Sequence, residues 1–354
     1  MARKILKIGL FSVAGLFLLG VILQALGLGQ FRLTLPVEHE SEYVPAPNIS
    51  YPPALQVEGN RLVDGRGEAI RLRGVMIPDP YRLEGENRFN PELIAEIRAT
   101  GANVIRIPVH PENWQHDPDY LWRYLDPLVS WAGEAGLYAI IDWHYVGNIA
   151  TGVGDQMPDL ETPPQELTDE FWQITAGYFR KAPHVIFEAF NEPESISAEA
   201  WRLSAGEIVR LIRGQGAGQV IIVGGIDFGR DLSWVLQNPI EAGNIAYASH
   251  IYPAHSRSRW DDWFGEVAEK HPVLITEWGF MDENRKDGPP YLAGNEESYG
   301  RPFLDYLEER QMSWVACWYD DQWLPAMFTG DGKAATRYGE FILRELSEAK
   351  NPEG

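Results

Sequence analysis

The chain has 354 residues, 45 % of them hydrophobic, and sets 51 acidic side chains against 30 basic ones for a net charge of −21. That length suits a large domain with a full core, and so acidic a surface repels phosphate backbones, which argues against a nucleic-acid partner. The single cysteine, Cys317, excludes an intrachain disulfide and a cysteine-based zinc site, while 13 Trp, 15 Tyr and 14 Phe favour flat, neutral ligands such as sugars.

Residues 8–31 contain no charged side chain. As a helix this run would be roughly 36 Å long, enough to cross a hydrocarbon core of ~30 Å. Arg3, Lys4 and Lys7 precede it, which places the N-terminus in the cytoplasm and everything downstream outside it, periplasmic or extracellular. Residues 1–31 are therefore expected to form a retained transmembrane anchor. A cleaved signal peptide, with Ala25-Leu26-Gly27 as its processing site, is the competing reading. Residues 32–54 hold Pro36, Pro45, Pro47, Pro52 and Pro53 and read as a semi-extended linker that keeps the next domain off the membrane.

From Leu55 the pattern changes. LQVEGNRLVDGRGEAIRLRGV alternates apolar and polar residues around Gly59-Asn60 and predicts a small hairpin. Apolar, β-branched runs follow at 72–77, 103–109, 138–143, 184–190, 220–223, 245–251, 273–277 and 313–318. Amphipathic stretches lie between them at 91–100, 121–135, 166–181, 198–213, 232–237, 258–269, 297–310 and 336–349. Eight strands alternating with eight helices over residues 55–350 predict a (β/α)8 TIM barrel. A doubly wound sheet would want a Gly-rich turn after its first strand. The glycines at 214, 216 and 218 instead follow a helix and precede a strand.

Catalytic groups of such barrels lie at the carboxyl ends of strands. Those ends carry Arg106, His144, Asn191, Glu192, His250, Tyr252, Glu277 and Trp318. His250 and Tyr252 are two apart and share a strand face. Two strand-end glutamates without a neighbouring lysine are what double-displacement glycoside hydrolysis needs, one protonated as acid and one ionised as nucleophile. No lysine stands at a strand end to form a Schiff base, and His250 with His255 lacks a third ligand for a metal.

These motifs together resemble glycoside hydrolase family 5, the cellulase family. The likeness rests on NEP at 191–193 after the fourth strand, Glu277 on the seventh, and the Arg, His, His-x-Tyr and Trp positions in order, none substituted. The resemblance implies Glu192 as acid/base and Glu277 as nucleophile. It implies Asn191 on the sugar 2-hydroxyl, Arg106 and Tyr252 keeping Glu277 ionised, and His144, His250 and Trp318 lining the subsite of the cleaved sugar. It further implies a retaining β-glycanase, with no cofactor or metal, acting on a polysaccharide or oligosaccharide as a monomer. β-1,4-Glucan is the expected substrate. β-Mannan or another β-glucan is the alternative within the family, and a catalytically silent polysaccharide-binding barrel the alternative outside catalysis. Asp142 and Glu188 are read as structural carboxylates, Trp143 as packing, and Cys317 as a small buried residue. Trp114, Trp278, Tyr81 and Trp323 are candidates to line the cleft. Glu277 is expected to titrate low and Glu192 high.

Overall fold

The continuous apolar runs become strands because both of their faces are covered, one by the barrel interior and one by helices. A computed structural model describes residues 39–154, 160–282, 288–330, 332 and 334–350. Two units divide the chain, Met1–Glu40 and Ser41–Gly354, and the barrel is the second. Its eight parallel strands are β1 (Arg73–Met76), β2 (Val104–Val109), β3 (Tyr138–Trp143), β4 (Val185–Glu188), β5 (Ile221–Gly224), β6 (Ile245–Ile251), β7 (Val273–Trp278) and β8 (Ser313–Ala316). They close in sequence order, β8 pairing with β1. Gly74 allows β1 to approach β2, since a Cβ there would run into the Val104 carbonyl. The expected (β/α)8 barrel is the observed fold.

The longer helices around it are α1 (Pro91–Ala99), α2 (Asp126–Glu134), α3 (Pro164–Phe179), α4 (Ala198–Gly214), α5 (Arg301–Glu309) and α6 (Arg337–Lys350), with shorter helical segments such as Pro80–Gly85 and Pro111–His116 between them. Local chemistry sets their starts. Asn90 accepts from the Leu93 amide ahead of Pro91, and Ser197 accepts from the Ala200 amide. One expected helix is reduced, since residues 232–237 make only the short turn Ser233–Leu236. Residues 258–269 are helical as expected, the turn Arg257–Arg259 running without a break through Asp261–Gly265 into Glu266–Ala268. Val235 is buried without a long helix to carry it, whereas Phe264 and Val267 are buried from the helical run.

The predicted hairpin forms from Gln56–Glu58 and Arg61–Val63. Leu55 and Leu62 join the interior cluster of Leu72, Val104, Ile140, Ile186, Ile222 and Leu274, so the hairpin plugs the amino end of the barrel. That leaves the carboxyl end open to the cleft.

The linker expected over 32–54 is not free along its length. Tyr43 is buried, its amide donates to the Tyr178 carbonyl at 2.9 Å, and Tyr51 stacks on His184 with ring centroids 5.0 Å apart. Glu42 pairs with Arg180 and Lys181. Aromatic burial outweighs the extended preference of the prolines, and residues 41–54 form a strap on the barrel. The anchor expected over 8–31 lies outside the described residues. Among the described residues no helix is long and apolar enough to cross a membrane.

Candidate active site

Arg106, on β2, is wholly buried and organises the cleft floor. Its Nε donates to Glu188 Oε2 at 2.6 Å, Nη1 to Glu277 Oε2 at 3.1 Å, and Nη2 to Asn191 Oδ1 at 2.8 Å. Asp142 Oδ2 lies 3.1 Å from Nη2. The strand register makes this possible, because Asp142 is paired with Glu188 across β3 and β4, and His250 with Glu277 across β6 and β7. Pleating then turns these side chains to the same interior.

Above that floor each candidate glutamate has its own partner. His250 Nδ1 lies 2.9 Å from Glu192 Oε1, and its Nε2 is 3.1 Å from Thr276 Oγ1, which donates to Glu188. The Tyr252 hydroxyl donates to Glu277 Oε1 and also meets Cys317 Sγ at 3.3 Å. Glu192 is positioned by a two-residue pairing of Glu192–Pro193 with Val146–Gly147, a short sheet outside the barrel. Glu192, His250 and Glu277 each bring one ligand-type atom within 4.8 Å of the others. They suit a cation poorly, since both nitrogens of His250 are engaged within the protein.

The electrostatics separate the two glutamates. Burial pushes the Glu192 carboxyl up, the Glu277 charge adds to this, and the His250 hydrogen bond only partly offsets it. For Glu277 burial works upward too, but the charges of His250 and Arg106 and the Tyr252 hydrogen bond bring it below its ordinary range. Burial would discharge His250, yet the carboxylates of Glu277, Glu188 and Glu192 push it up to about 10. Glu188, raised by burial but facing Arg106 and His250, falls to about 2. Burial holds Asp142 well above the usual carboxylate range and His144 well below the usual imidazole range. Arg106 and His250 therefore balance Glu188 and Glu277, while Asp142 and Glu192 keep their protons to higher pH.

All eight residues singled out from the sequence gather here, and the expected directions for Glu192 and Glu277 hold. His144 sits at 2.7 Å from Asp142 Oδ2, and Trp318 forms a wall with its ring 5.9 Å from that of His144. Trp143 packs outward on Phe171 as expected, at 4.4 Å. Of the possible cleft aromatics, Trp114 and Trp278 are core instead, packed on Phe171 and on Phe303 with Trp314. Trp323 reaches the site, its ring 4.7 Å from Trp318, and Tyr81 is exposed against Tyr124. Sequence reasoning missed Thr276, Cys317 as the neighbour of the Tyr252 hydroxyl, and the pair Asp79 and His110. Strict strand alternation sets Thr276 on the face opposite Glu277, and the register shift between β6 and β7, from Ala248–Leu274 to His250–Glu277, is seen only in the structure, so nothing in the sequence signalled the first.

A family model described as "Cellulase (glycosyl hydrolase family 5)" matches residues 63–321. The Endoglucanase E-5 of Thermobifida fusca is 27 % identical over 276 residues, which are 75 % of this chain and 56 % of that protein. An Endoglucanase of Clostridium saccharobutylicum is 26 % identical over 322 residues, 89 % of this chain and 66 % of its own length. The chain thus spans less than two thirds of these curated relatives. The beta-glucanase SdGluc5_26A of Saccharophagus degradans, solved in native form and in complex with cellotetraose, superposes with a TM-score of 0.83 at 27 % identity, covering 89 % of this chain and 99 % of that one.

Proposed function

Since the chain belongs to glycosyl hydrolase family 5, we propose that it is a retaining endo-β-1,4-glucanase in which Glu277 is the nucleophile and Glu192 the acid/base. The observation that carries this reading is the approach of Glu192 and Glu277 to within 4.8 Å between ligand atoms, with opposite shifts in their proton affinity. Double displacement wants carboxyl groups about 5–5.5 Å apart, whereas direct displacement by water needs about 6.5–9.5 Å.

Glu277, ionised, attacks the anomeric carbon while Glu192 gives its proton to the departing glycosidic oxygen. The acid, now a carboxylate, then takes a proton from the water that opens the glycosyl ester. Tyr252 donates to one Glu277 oxygen and Arg106 to the other, which orients the attacking lone pair. His250 fixes Glu192 at its Oε1. Asn191 spends its Oδ1 on Arg106, so its amide hydrogens remain to donate to the sugar 2-hydroxyl. Trp318 offers the face against which the sugar rests.

Support for a β-glucan substrate comes from the relatives, two of which are named endoglucanases and one a beta-glucanase with cellotetraose bound. The test is hydrolysis by the piece from Ser41 onward on cellulose oligosaccharides, mixed-linkage β-glucan, mannan and xylan. Proton NMR of the first product should show the β-anomer from a β-1,4-glucan. Initial α product sinks the mechanism, and preference for mannan sinks the substrate.

The run at 8–31 and its flanking Arg3, Lys4 and Lys7 support a retained anchor with the barrel outside the cytoplasm. Sedimentation of the full chain with membranes after alkaline wash is the expected result, and a soluble chain starting near Leu28 the opposing one.

A further inference from the structure

Beside the eight residues already described, the cleft holds a histidine with a buried counter-ion. Asp79 follows β1 and is 1 % exposed. One of its oxygens accepts from the Tyr81 amide at 2.8 Å and the Tyr120 hydroxyl at 3.0 Å. The other accepts from the His110 amide at 2.9 Å and lies 3.1 Å from His110 Nδ1. The carboxylate thus fixes the Nδ1–H of His110. The ring of His110 lies 4.7 Å from that of His144 and 5.3 Å from that of Trp323. Trp323 in turn meets Trp318 edge to face and is covered by the Arg82 guanidinium at 4.4 Å. His110 Nε2 has no protein hydrogen-bond partner among the described residues, and the side chain keeps 15 % of its surface exposed.

We propose that His110 is a further substrate-binding residue, its Nε2 edge hydrogen-bonding a hydroxyl of the sugar that rests against Trp318 and Trp323. The assignment rests on reading this cleft as a polysaccharide site. A buried carboxylate holding one ring nitrogen while the other faces the cleft is how an imidazole is oriented for a ligand rather than for packing.

The groups packed around His110 decide its behaviour with pH. Burial works to discharge it, but Asp79 at contact, with Glu112 and Asp142 beyond, raises its proton affinity. His144 stays neutral, because burial and then the charges of His110 and Arg106 oppose its protonation. Below its raised pKa His110 offers Nε2–H as a charge-assisted donor. Above it the remaining proton stays on Nδ1 toward Asp79, and Nε2 becomes a neutral acceptor. Loss of the charged bond should weaken sugar binding about ten-fold.

The test compares KM against pH for the wild-type chain and His110→Gln on a β-1,4-glucan oligosaccharide. KM of the wild type should rise about ten-fold on the alkaline side, while His110→Gln should give a KM that is raised several-fold and flat with pH. The two limbs of kcat should not move, since Glu192 and Glu277 are untouched. Asp79→Asn should carry the wild-type inflection to lower pH. If Asp79→Asn does not fold, the His110→Gln comparison decides alone. Equal KM values for wild type and His110→Gln at every pH overturn the proposal. If no β-glucan is cleaved, the glucanase reading fails, and calorimetric titration with cellotetraose at two pH values still decides the role of His110. There, equal affinities of wild type and His110→Gln overturn it.

Discussion

Arg106 and Glu188 form an ion pair at 2.6 Å in which both partners are wholly buried, and the pair stands beneath Glu192 and Glu277. An isolated buried cation would cost several kcal/mol, so this arginine needs Glu188 before it can be shared with Glu277 and Asn191. Glu188 also takes the Thr276 hydroxyl at 2.7 Å, and Thr276 touches His250. One carboxylate that meets no substrate therefore ties the support of the nucleophile to the support of the acid.

Glu188→Gln should for that reason be felt in two ways. Breaking one side of the buried pair should cost about 3 kcal/mol of stability, readable as a lowered midpoint in urea. In the molecules that fold, the charge of Arg106 is no longer shared with Glu188, and Glu277 should ionise at still lower pH. The acidic limb of the activity profile should move down. An unchanged midpoint and an unchanged limb would show the pair to be dispensable.

The pH profile itself follows from the site. Glu277 must be ionised, so activity is present above its lowered pKa and lost as pH falls through it. Glu192 must be protonated, so activity is present below its raised pKa and lost as pH rises through it. The outcome is a bell whose limbs belong to the coupled pair. Tyr252→Phe removes a hydrogen bond that favours ionised Glu277, and should shift the acidic limb upward with a loss of kcat of roughly ten-fold. A shift of the alkaline limb instead would reverse the roles.

The strap gives a prediction about stability. A chain begun at Ala54 lacks Tyr43, which is 3 % exposed, and Tyr51, whose ring fills the space over Gly133 and stacks on His184. Burying aromatic side chains of this kind contributes about 2–3 kcal/mol each. A chain begun at Ser41 should melt several degrees above one begun at Ala54 in calorimetry, with the same kcat. Equal melting temperatures would mean that the strap is passive.

What was legible in the sequence divides along physical lines. Strands such as 104–109 and 138–143 are continuous apolar runs, and that signal survives because both faces are buried. The strand ends follow from them, and with them Arg106, His144, Glu192 and Glu277. The reduced helix after β5 was not legible, since residues 232–237 keep a helical apolar spacing while the packing takes only the short turn Ser233–Leu236. The strap was hidden because prolines speak of extension, whereas the burial of Tyr43 depends on Tyr178 and Phe179, far along the chain. Trp114 and Trp278 could not be told from cleft aromatics by sequence, as strand-end position does not say which way an indole turns. Asp79 and His110 lie in loops after β1 and β2, and no local motif joins them.

The two glutamates should differ in what their removal destroys. Glu192→Ala removes the proton donor, which matters in proportion to how poor the leaving group is. It should cost about 10²–10⁴-fold on an unactivated β-1,4-glucan, while an aryl glycoside with an acidic phenol should still form the glycosyl-enzyme at a near-normal rate. The slow step then becomes attack by water, because the same residue serves as base, and an external azide ion should restore turnover by attacking without base help. Glu277→Ala removes the atom that bonds to the anomeric carbon, so neither substrate should turn over and azide should rescue no β-product. The burst of phenol in pre-steady-state assays separates the cases. A burst with Glu192→Ala and none with Glu277→Ala is the expected pair of results. A burst with Glu277→Ala would transfer the nucleophile to another carboxylate, and the absence of a burst from Glu192→Ala would remove Glu192 as the acid.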